Sequence, residues 1–165
     1  MSVAADIAEL LREPRVCSHW LRLCSCDGYS NITEPWRNRA FESTSFAGFP
    51  KDDLGLLNEW WRFIGIGGDR VIQSCLTSNR GGTKKTIHTL VVPSSSESVN
   101  PTSGYAYGYH VSCYGVYLYI DVALCPGGFY VYRPTSHTQD SMGYVTCEYL
   151  WRSRGLPQQP RKLCV

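Results

Sequence analysis

The sequence is poor in charge and has no long apolar run. Charged residues make up 18% of its 165 residues, and the net charge is only +2, which is too small to attract nucleic acid or an anionic membrane. Its longest apolar run falls far short of the roughly 18–20 residues that a membrane-spanning helix needs. We therefore expect neither nucleic-acid binding nor direct insertion into a membrane.

Motifs for catalysis and for cofactors are also missing. The sequence has no G-x-S-x-G, H-E-x-x-H or C-G-S-C-W motif, and no C-x-x-C pair. The segment 65–68 is rich in glycine but lacks the Gly-Lys-Ser/Thr and the following helix of a phosphate-binding loop. We predict a protein that is not an enzyme and holds no cofactor and no metal. A cysteine hydrolase, the enzymatic alternative, would need Cys75 or Cys113 beside His88 or His110.

Cysteine is abundant instead. The eight cysteines are Cys17, Cys24, Cys26, Cys75, Cys113, Cys125, Cys147 and Cys164. An even number at wide spacing among turn residues indicates disulfide bonds formed in an oxidising compartment, although the sequence does not choose a pairing. The first residues do not form a secretory signal peptide. We expect an extracellular or secreted protein, and a chain that is a fragment or has an incomplete N-terminus.

A second interpretation uses the first cysteines differently. Cys17, His19, Cys24 and Cys26 lie close together in the sequence, and thiolate and imidazole groups are zinc ligands. The chain would then be a cytosolic free-thiol or metal-binding protein. The spacing of these four residues is not a common structural zinc pattern, so we favour their use in disulfides.

Composition favours strands and turns over helices. The chain has 11 tyrosines, 15 glycines and nine prolines. We predict a mainly β fold, namely a small disulfide-stabilised antiparallel β module with long loops and a short N-terminal helix. The expected divisions are an N-terminal helix or tail at 1–16, a cysteine-rich domain at 17–151 and a loosely ordered C-terminal tail at 152–165.

Residues 59–76 carry an alternation that predicts a β-hairpin. Trp61 and Phe63 fall on one face of the first arm, and we expect both in the core. Gly67 and Gly68 are expected to form the tight turn, because glycine adopts positive φ angles without strain.

Residues 105–124 show a longer alternation of apolar and polar positions. The apolar face is predicted to hold Val116, Leu118, Ile120 and Val122, whereas the other face holds Tyr117, Tyr119 and Asp121. Tyrosine suits interfaces, so Tyr117 and Tyr119 could form a contact surface, although we favour half-buried packing for them.

Asn31-Ile32-Thr33 is an N-glycosylation sequon in a polar, turn-rich stretch beside a cysteine. Asn100-Pro101-Thr102 is excluded by its proline. If the chain enters the secretory pathway, we expect a glycan on Asn31.

Three segments resemble the cysteine-rich (eight-cysteine) domain of the uromodulin and pancreatic zymogen-granule major glycoprotein family. The first runs from Cys26 to Thr33 and on to the pair Trp36-Arg37. The second runs from Trp60 to Cys75 and contains Trp61, Arg62, Phe63, Gly65, Gly67, Gly68 and Arg70. The third runs from Cys125 to Arg133 and contains Gly127, Gly128, Tyr130 and Tyr132. The chain thus resembles a diverged member of that family.

The chain departs from the family in its cysteines. Residues 38–59 and 79–82 have none, whereas the family usually has a cysteine in each stretch, so no pairing is carried over. The resemblance implies a non-enzymatic extracellular module for protein or carbohydrate interaction and glycan display. It further implies either a stand-alone domain or a fragment of a larger secreted or membrane-anchored glycoprotein, with an unidentified protein or glycan ligand.

Overall fold

A computed structural model describes residues 25–45, 47–93 and 101–148. The strands in these ranges are β1 (Tyr29–Ile32), β2 (Trp60–Phe63), β3 (Arg70–Val71), β4 (Lys85–Thr89), β5 (Thr102–Gly108), β6 (Val116–Cys125), β7 (Phe129–Pro134), β8 (Met142–Tyr144) and β9 (Thr146–Cys147). Short 3-10 helices lie at Pro35–Arg37, Ser43–Ser45, Leu54–Leu56 and Gly65–Gly67. The prediction of a mainly β fold with long loops is confirmed. The predicted N-terminal helix and both domain boundaries fall outside the described residues.

Seven strands form one sheet in the order β1-β2-β7-β6-β5-β4-β8, and β3 pairs with β9. The centre of the sheet is antiparallel, as predicted, while the pairs β1–β2 and β4–β8 are parallel. The long pairings of β6 with β5 and with β7 are unbroken in register. This three-strand meander therefore forms the centre of the sheet, and the shorter strands are added at its sides.

The predicted alternation along β6 is confirmed. Leu118, Ile120 and Val122 are buried in the main core, whereas Tyr117 and Tyr119 are 63% and 57% exposed. Because these two rings are mostly in solvent, the preference for half-buried packing was wrong. The alternation is also not a single strand, since residues 109–115 separate β5 from β6.

The hairpin prediction for residues 59–76 is wrong. Strand β2 lies between β1 and β7, and β3 pairs with β9. Gly68 has the expected positive φ angle, 115°, and both glycines allow a close backbone approach: a Cβ on Gly67 would clash with the backbone of Glu34, and one on Gly68 would lie 2.7 Å from the carbonyl carbon of Cys147. Glycine is thus required at this turn because distant parts of the chain approach it closely. The local sequence pattern of such a turn looks the same as that of a hairpin.

The two tryptophans of β2 pack in two different hydrophobic clusters, on opposite faces of the sheet. Phe63 is buried in the main core and Trp61 packs against it half-buried, as predicted. Trp60 is buried on the opposite face of the sheet, in a smaller cluster with Ala123 and Val131. Strand β2 is therefore covered on both faces.

Candidate functional site

Disulfide bonds tie the sheet to its loops. Cys26, just before β1, is bonded to Cys125 at the end of β6, with Cα atoms 5.5 Å apart. Cys75, which follows β3, is bonded to Cys113 in the β5–β6 turn, also at 5.5 Å. Cys147 is disulfide-bonded as well. None of the five described cysteines is a free thiol, which confirms a disulfide-bonded protein; Cys17, Cys24 and Cys164 lie outside the described residues.

These bonds bear on the alternative functions. Cys26 is bonded to Cys125 and so is not available as a metal ligand, while Cys17, His19 and Cys24 lie outside the described part of the chain. Within that part, no group of three or more His, Cys, Asp or Glu residues could hold a metal ion. The Cys75–Cys113 bond also removes the two thiols that the hydrolase alternative required.

Arg37, from the Trp36-Arg37 pair of the family motif, forms a buried ion pair with Asp53. The Arg37 guanidinium donates through Nη1 and Nη2 to the two carboxylate oxygens of Asp53 at 2.8 and 2.6 Å, and it lies 4.3 Å from the Trp36 ring centroid. Burial opposes the charge, but the carboxylates of Asp53 and Glu34 outweigh it and raise the pKa of Arg37. Asp53 also accepts a hydrogen bond from the Tyr144 backbone. The motif therefore joins the loop after β1 to β8.

The third family segment also has structural roles. Gly127 and Gly128 adopt positive φ angles of 96° and 80° in the β6–β7 turn, a conformation that glycine adopts without strain. Tyr130 and Tyr132 are buried in the core. The Tyr132 hydroxyl accepts a hydrogen bond from the Val71 backbone at 3.2 Å and so links the two sheets.

The outer face of β1 and β2 carries a layer around Arg62. The Arg62 guanidinium lies 3.8 Å from the Phe129 ring centroid, and its Nη1 donates to the Tyr29 hydroxyl at 3.2 Å. In the parallel β1–β2 pairing, Asn31 is in register with Arg62 and is exposed. The predicted glycan site therefore lies on the surface beside this layer.

Five tyrosines gather on one face of β5 and β6, and we call them the tyrosine surface: Tyr105, Tyr107, Tyr114, Tyr117 and Tyr119. Strand register sets Tyr105 opposite Tyr119 and Tyr107 opposite Tyr117, with ring centroids 5.0 and 5.6 Å apart. Tyr114, in the turn, lies 5.0 Å from Tyr107. Four of the rings are exposed and Tyr107 is half-buried. Their neighbours Ala106 and Leu118 point into the core, so the alternation itself turns the tyrosines outward.

His88 lies beneath this surface. It is 1% exposed and stands in register with Tyr107, and its ring centroid is 5.6 Å from that of Tyr107 and 6.0 Å from that of Tyr114. Burial lowers the pKa of His88, although a hydrogen bond to the Tyr107 backbone opposes the shift. The Cys75–Cys113 bond lies in the same turn as Tyr114 and therefore restrains this tyrosine beside the His88 ring.

Sequence reasoning named only part of this surface. It singled out Tyr117 and Tyr119 but not Tyr105, Tyr107 or Tyr114. The alternation of residues 105–108 was a usable signal, because every second residue there is tyrosine.

Within the tyrosine surface, a hydrogen bond to the Tyr119 side chain and the charge of an ionised Tyr119 both raise the pKa of Tyr105. The raised pKa favours the protonated, neutral form of the Tyr105 hydroxyl.

Bonded cysteines on a mainly β scaffold define a class of protein: an extracellular, disulfide-bonded β module. No helix in the described ranges is both long and apolar enough to cross a membrane.

No family model matches the chain. Uromodulin of Mus musculus and of Rattus norvegicus are 32% and 31% identical to it over 126 residues, which is 73% of this chain. These matches show that the chain contains a diverged, uromodulin-like domain. It spans 18% of the length of these two relatives.

Proposed function

We propose that this extracellular module is a non-enzymatic binding domain, which contacts a protein or glycan ligand through the tyrosine surface and displays a glycan on Asn31. The grouping of four exposed tyrosine rings, three on the paired strands β5 and β6 and the fourth in the turn between them, is the observation that carries the proposal. Tyrosine offers a large ring and a hydroxyl at a small entropy cost, so it is enriched in contact surfaces.

The arrangement of this surface favours binding over catalysis. The strands that carry Tyr105, Tyr107, Tyr117 and Tyr119 are held in register on a buried core, so the surface is ordered before a ligand arrives, which lowers the cost of binding. His88, the histidine that packs against Tyr107 and Tyr114, is too deeply buried to reach a substrate. A nucleophile would need an accessible base beside it.

A cleft beside β1 is the weaker candidate. Its volume is about 380 Å³, and its lining includes Glu34, Arg37, Asp52, Asp53 and Trp61. The buried charges of Arg37 and Asp53 are already paired with one another. These groups therefore have less to offer a ligand than the exposed tyrosines.

Binding can be tested with arrays of defined oligosaccharides and of purified extracellular protein domains. We expect the domain to bind at least one of these probes. The double variant Tyr117→Ser, Tyr119→Ser should lose at least about tenfold in affinity, which corresponds to about 1.4 kcal/mol. Ile66→Ser is the matched control, because Ile66 is 71% exposed and lies outside the tyrosine surface. Binding that both variants keep equally would contradict the proposal.

The glycan can be tested separately. Asn31 and Thr33 are both exposed, so the sequon is accessible. We expect the domain, secreted from mammalian cells, to lose mass on treatment with an N-glycosidase. The variant Asn31→Gln should show no such loss. A native protein whose mass does not change would refute glycosylation at this position.

A further inference from the structure

We propose that the first sugar of the Asn31 glycan packs on the ring of Tyr29 beside the Arg62 guanidinium, and that this contact stabilises the domain. The inference rests on the proposed glycosylation of Asn31. It assigns a sugar-binding role to the layer formed by Arg62, Tyr29 and Phe129, of which sequence reasoning named only Arg62, as part of a structural motif.

Strand geometry places the groups on one face. Tyr29 and Asn31 are two residues apart in β1, so their side chains leave the same face of the sheet. The β1–β2 register sets Asn31 beside Arg62, and Arg62 reaches the Tyr29 hydroxyl on that face. Ile32, on the opposite face, is buried in the main core. A sugar linked to Asn31 therefore starts next to Tyr29 and Arg62.

The layer is ordered before a sugar is attached. The Tyr29 ring lies 5.6 Å from the Phe129 ring, in an edge-to-face arrangement, and the Arg62 guanidinium covers Phe129. These contacts restrict the Tyr29 side chain, so little further entropy is lost when a sugar packs on it.

The chemistry of the two partners is complementary. One face of the sugar ring presents C–H groups, which gain free energy when an aromatic ring covers them. Its hydroxyl and acetamido oxygens can accept hydrogen bonds, and a guanidinium carries five N–H donors. Tyr29 is half-buried, so part of its ring remains open to such a contact.

A double-mutant cycle tests the contact. The glycosylated and sequon-free (Thr33→Ala) forms are compared in three backgrounds: native, Tyr29→Leu and Tyr29→Phe. The urea midpoint of unfolding is measured with disulfides intact, and glycan occupancy is read from intact mass. Each pair of forms shares one background, so the cost of altering Tyr29 itself cancels. We expect the glycan to raise the midpoint in the native and Tyr29→Phe backgrounds and to lose most of that effect with Tyr29→Leu.

A second sequon supplies the control. Pro101→Ala converts Asn100-Pro101-Thr102 into an acceptor site, and any effect of a glycan there should be the same with Tyr29 and with Tyr29→Leu. A fully occupied Asn31 glycan whose effect is unchanged by Tyr29→Leu would overturn the packing contact but not the glycosylation. An unoccupied Asn31 would overturn both.

Discussion

At the scale of single residues, burial separates two ion pairs of nearly equal length. The Arg37–Asp53 pair is 2.6 Å long and its side chains are 4% and 1% exposed, whereas the Arg80–Glu42 pair is 2.7 Å long with 39% and 50% exposed. Water solvates and screens the second pair, so it contributes little. Removing Asp53 from the first leaves the buried Arg37 charge with Glu34 alone, whose side chain is 46% exposed.

We therefore expect Asp53→Asn to lower the free energy of unfolding by about 3–5 kcal/mol. The matched change Glu42→Gln should lower it by less than about 1 kcal/mol. Urea unfolding with the disulfides intact measures both. Equal losses would show that burial of Arg37 and Asp53 is not what distinguishes the pairs.

His88 makes stability depend on pH in one direction. Its pKa is lowered in the folded state, so the unfolded chain binds more protons between that pKa and the ordinary histidine value of about 6.5. The contribution of neutral His88 to the free energy of unfolding is fully present above about pH 6.5. This contribution is lost as the pH falls from there towards the lowered pKa of the folded state.

The measurement is the midpoint of urea unfolding at a series of pH values from neutral to mildly acidic. The variant His88→Gln should show a shallower fall than the native domain, and His110→Gln, a change at an exposed histidine, is the matched control. If the urea midpoint falls with pH as steeply in His88→Gln as in the native domain, His88 is not the cause of the pH dependence.

At the scale of secondary structure, short-range patterns were predictable and long-range pairings were not. The period-two alternation of β6 is set by one apolar face, so the sequence was enough to place Leu118 in the core and Tyr117 on the opposite face, but not to show that Tyr117 is mostly exposed. The neighbours of β2 are β1 and β7, which lie far away in the chain, so no local signal named them. The glycines after β2 suggested a hairpin because the sequence does not show that Glu34 and Cys147 approach them.

Two glycines of this turn allow space and backbone conformation to be separated. Gly65 and Gly68 have φ angles of +81° and +115°, but a Cβ on Gly65 meets no atom within 4 Å, whereas one on Gly68 meets the Cys147 backbone. We expect Gly65→Ala to cost about 1–2 kcal/mol from backbone strain alone. Gly68→Ala should cost about 3–5 kcal/mol, because its backbone (φ 115°, ψ 163°) lies in a region that essentially only glycine adopts and overpacking adds to that strain. Denaturant unfolding compares them, and equal costs would argue against the close approach.

The stretches that lack the family's cysteines also meet in space. Glu42, within 38–59, forms an antiparallel bridge with Arg80, within 79–82, and residues paired in this way have Cα atoms about 4.5–5.5 Å apart. That distance suits a disulfide. The exposed Glu42–Arg80 ion pair thus occupies a position where a covalent bond would fit.

The double variant Glu42→Cys, Arg80→Cys should therefore form an additional disulfide. We expect it to raise the free energy of unfolding by about 2–4 kcal/mol, less the small contribution of the lost ion pair. Peptide mapping and urea unfolding check the bond and its effect, with the two single variants as controls. Two thiols that stay free under oxidising conditions would show that these segments are not neighbours.

At the scale of the whole molecule, the bridges hold distant parts of the chain in one arrangement. Cys26 and Cys125 are separated by 99 positions and Cys75 and Cys113 by 38, so both bonds restrict the unfolded chain strongly. The first ties the start of β1 to the central strand β6. The second connects the segment after β3 to the turn of the tyrosine surface. The proposed binding surface and the glycan site both depend on this scaffold.

The pairing of these cysteines is the most direct test of the account. The domain is secreted from mammalian cells, denatured, alkylated without reductant and digested at acidic pH, and the linked peptides are identified by mass spectrometry. We predict peptides joined through Cys26–Cys125 and Cys75–Cys113 and no alkylation of Cys147. Alkylated thiols at these positions, or a consistent pairing of Cys26 or Cys75 with other partners, would contradict the disulfide-bonded scaffold described above.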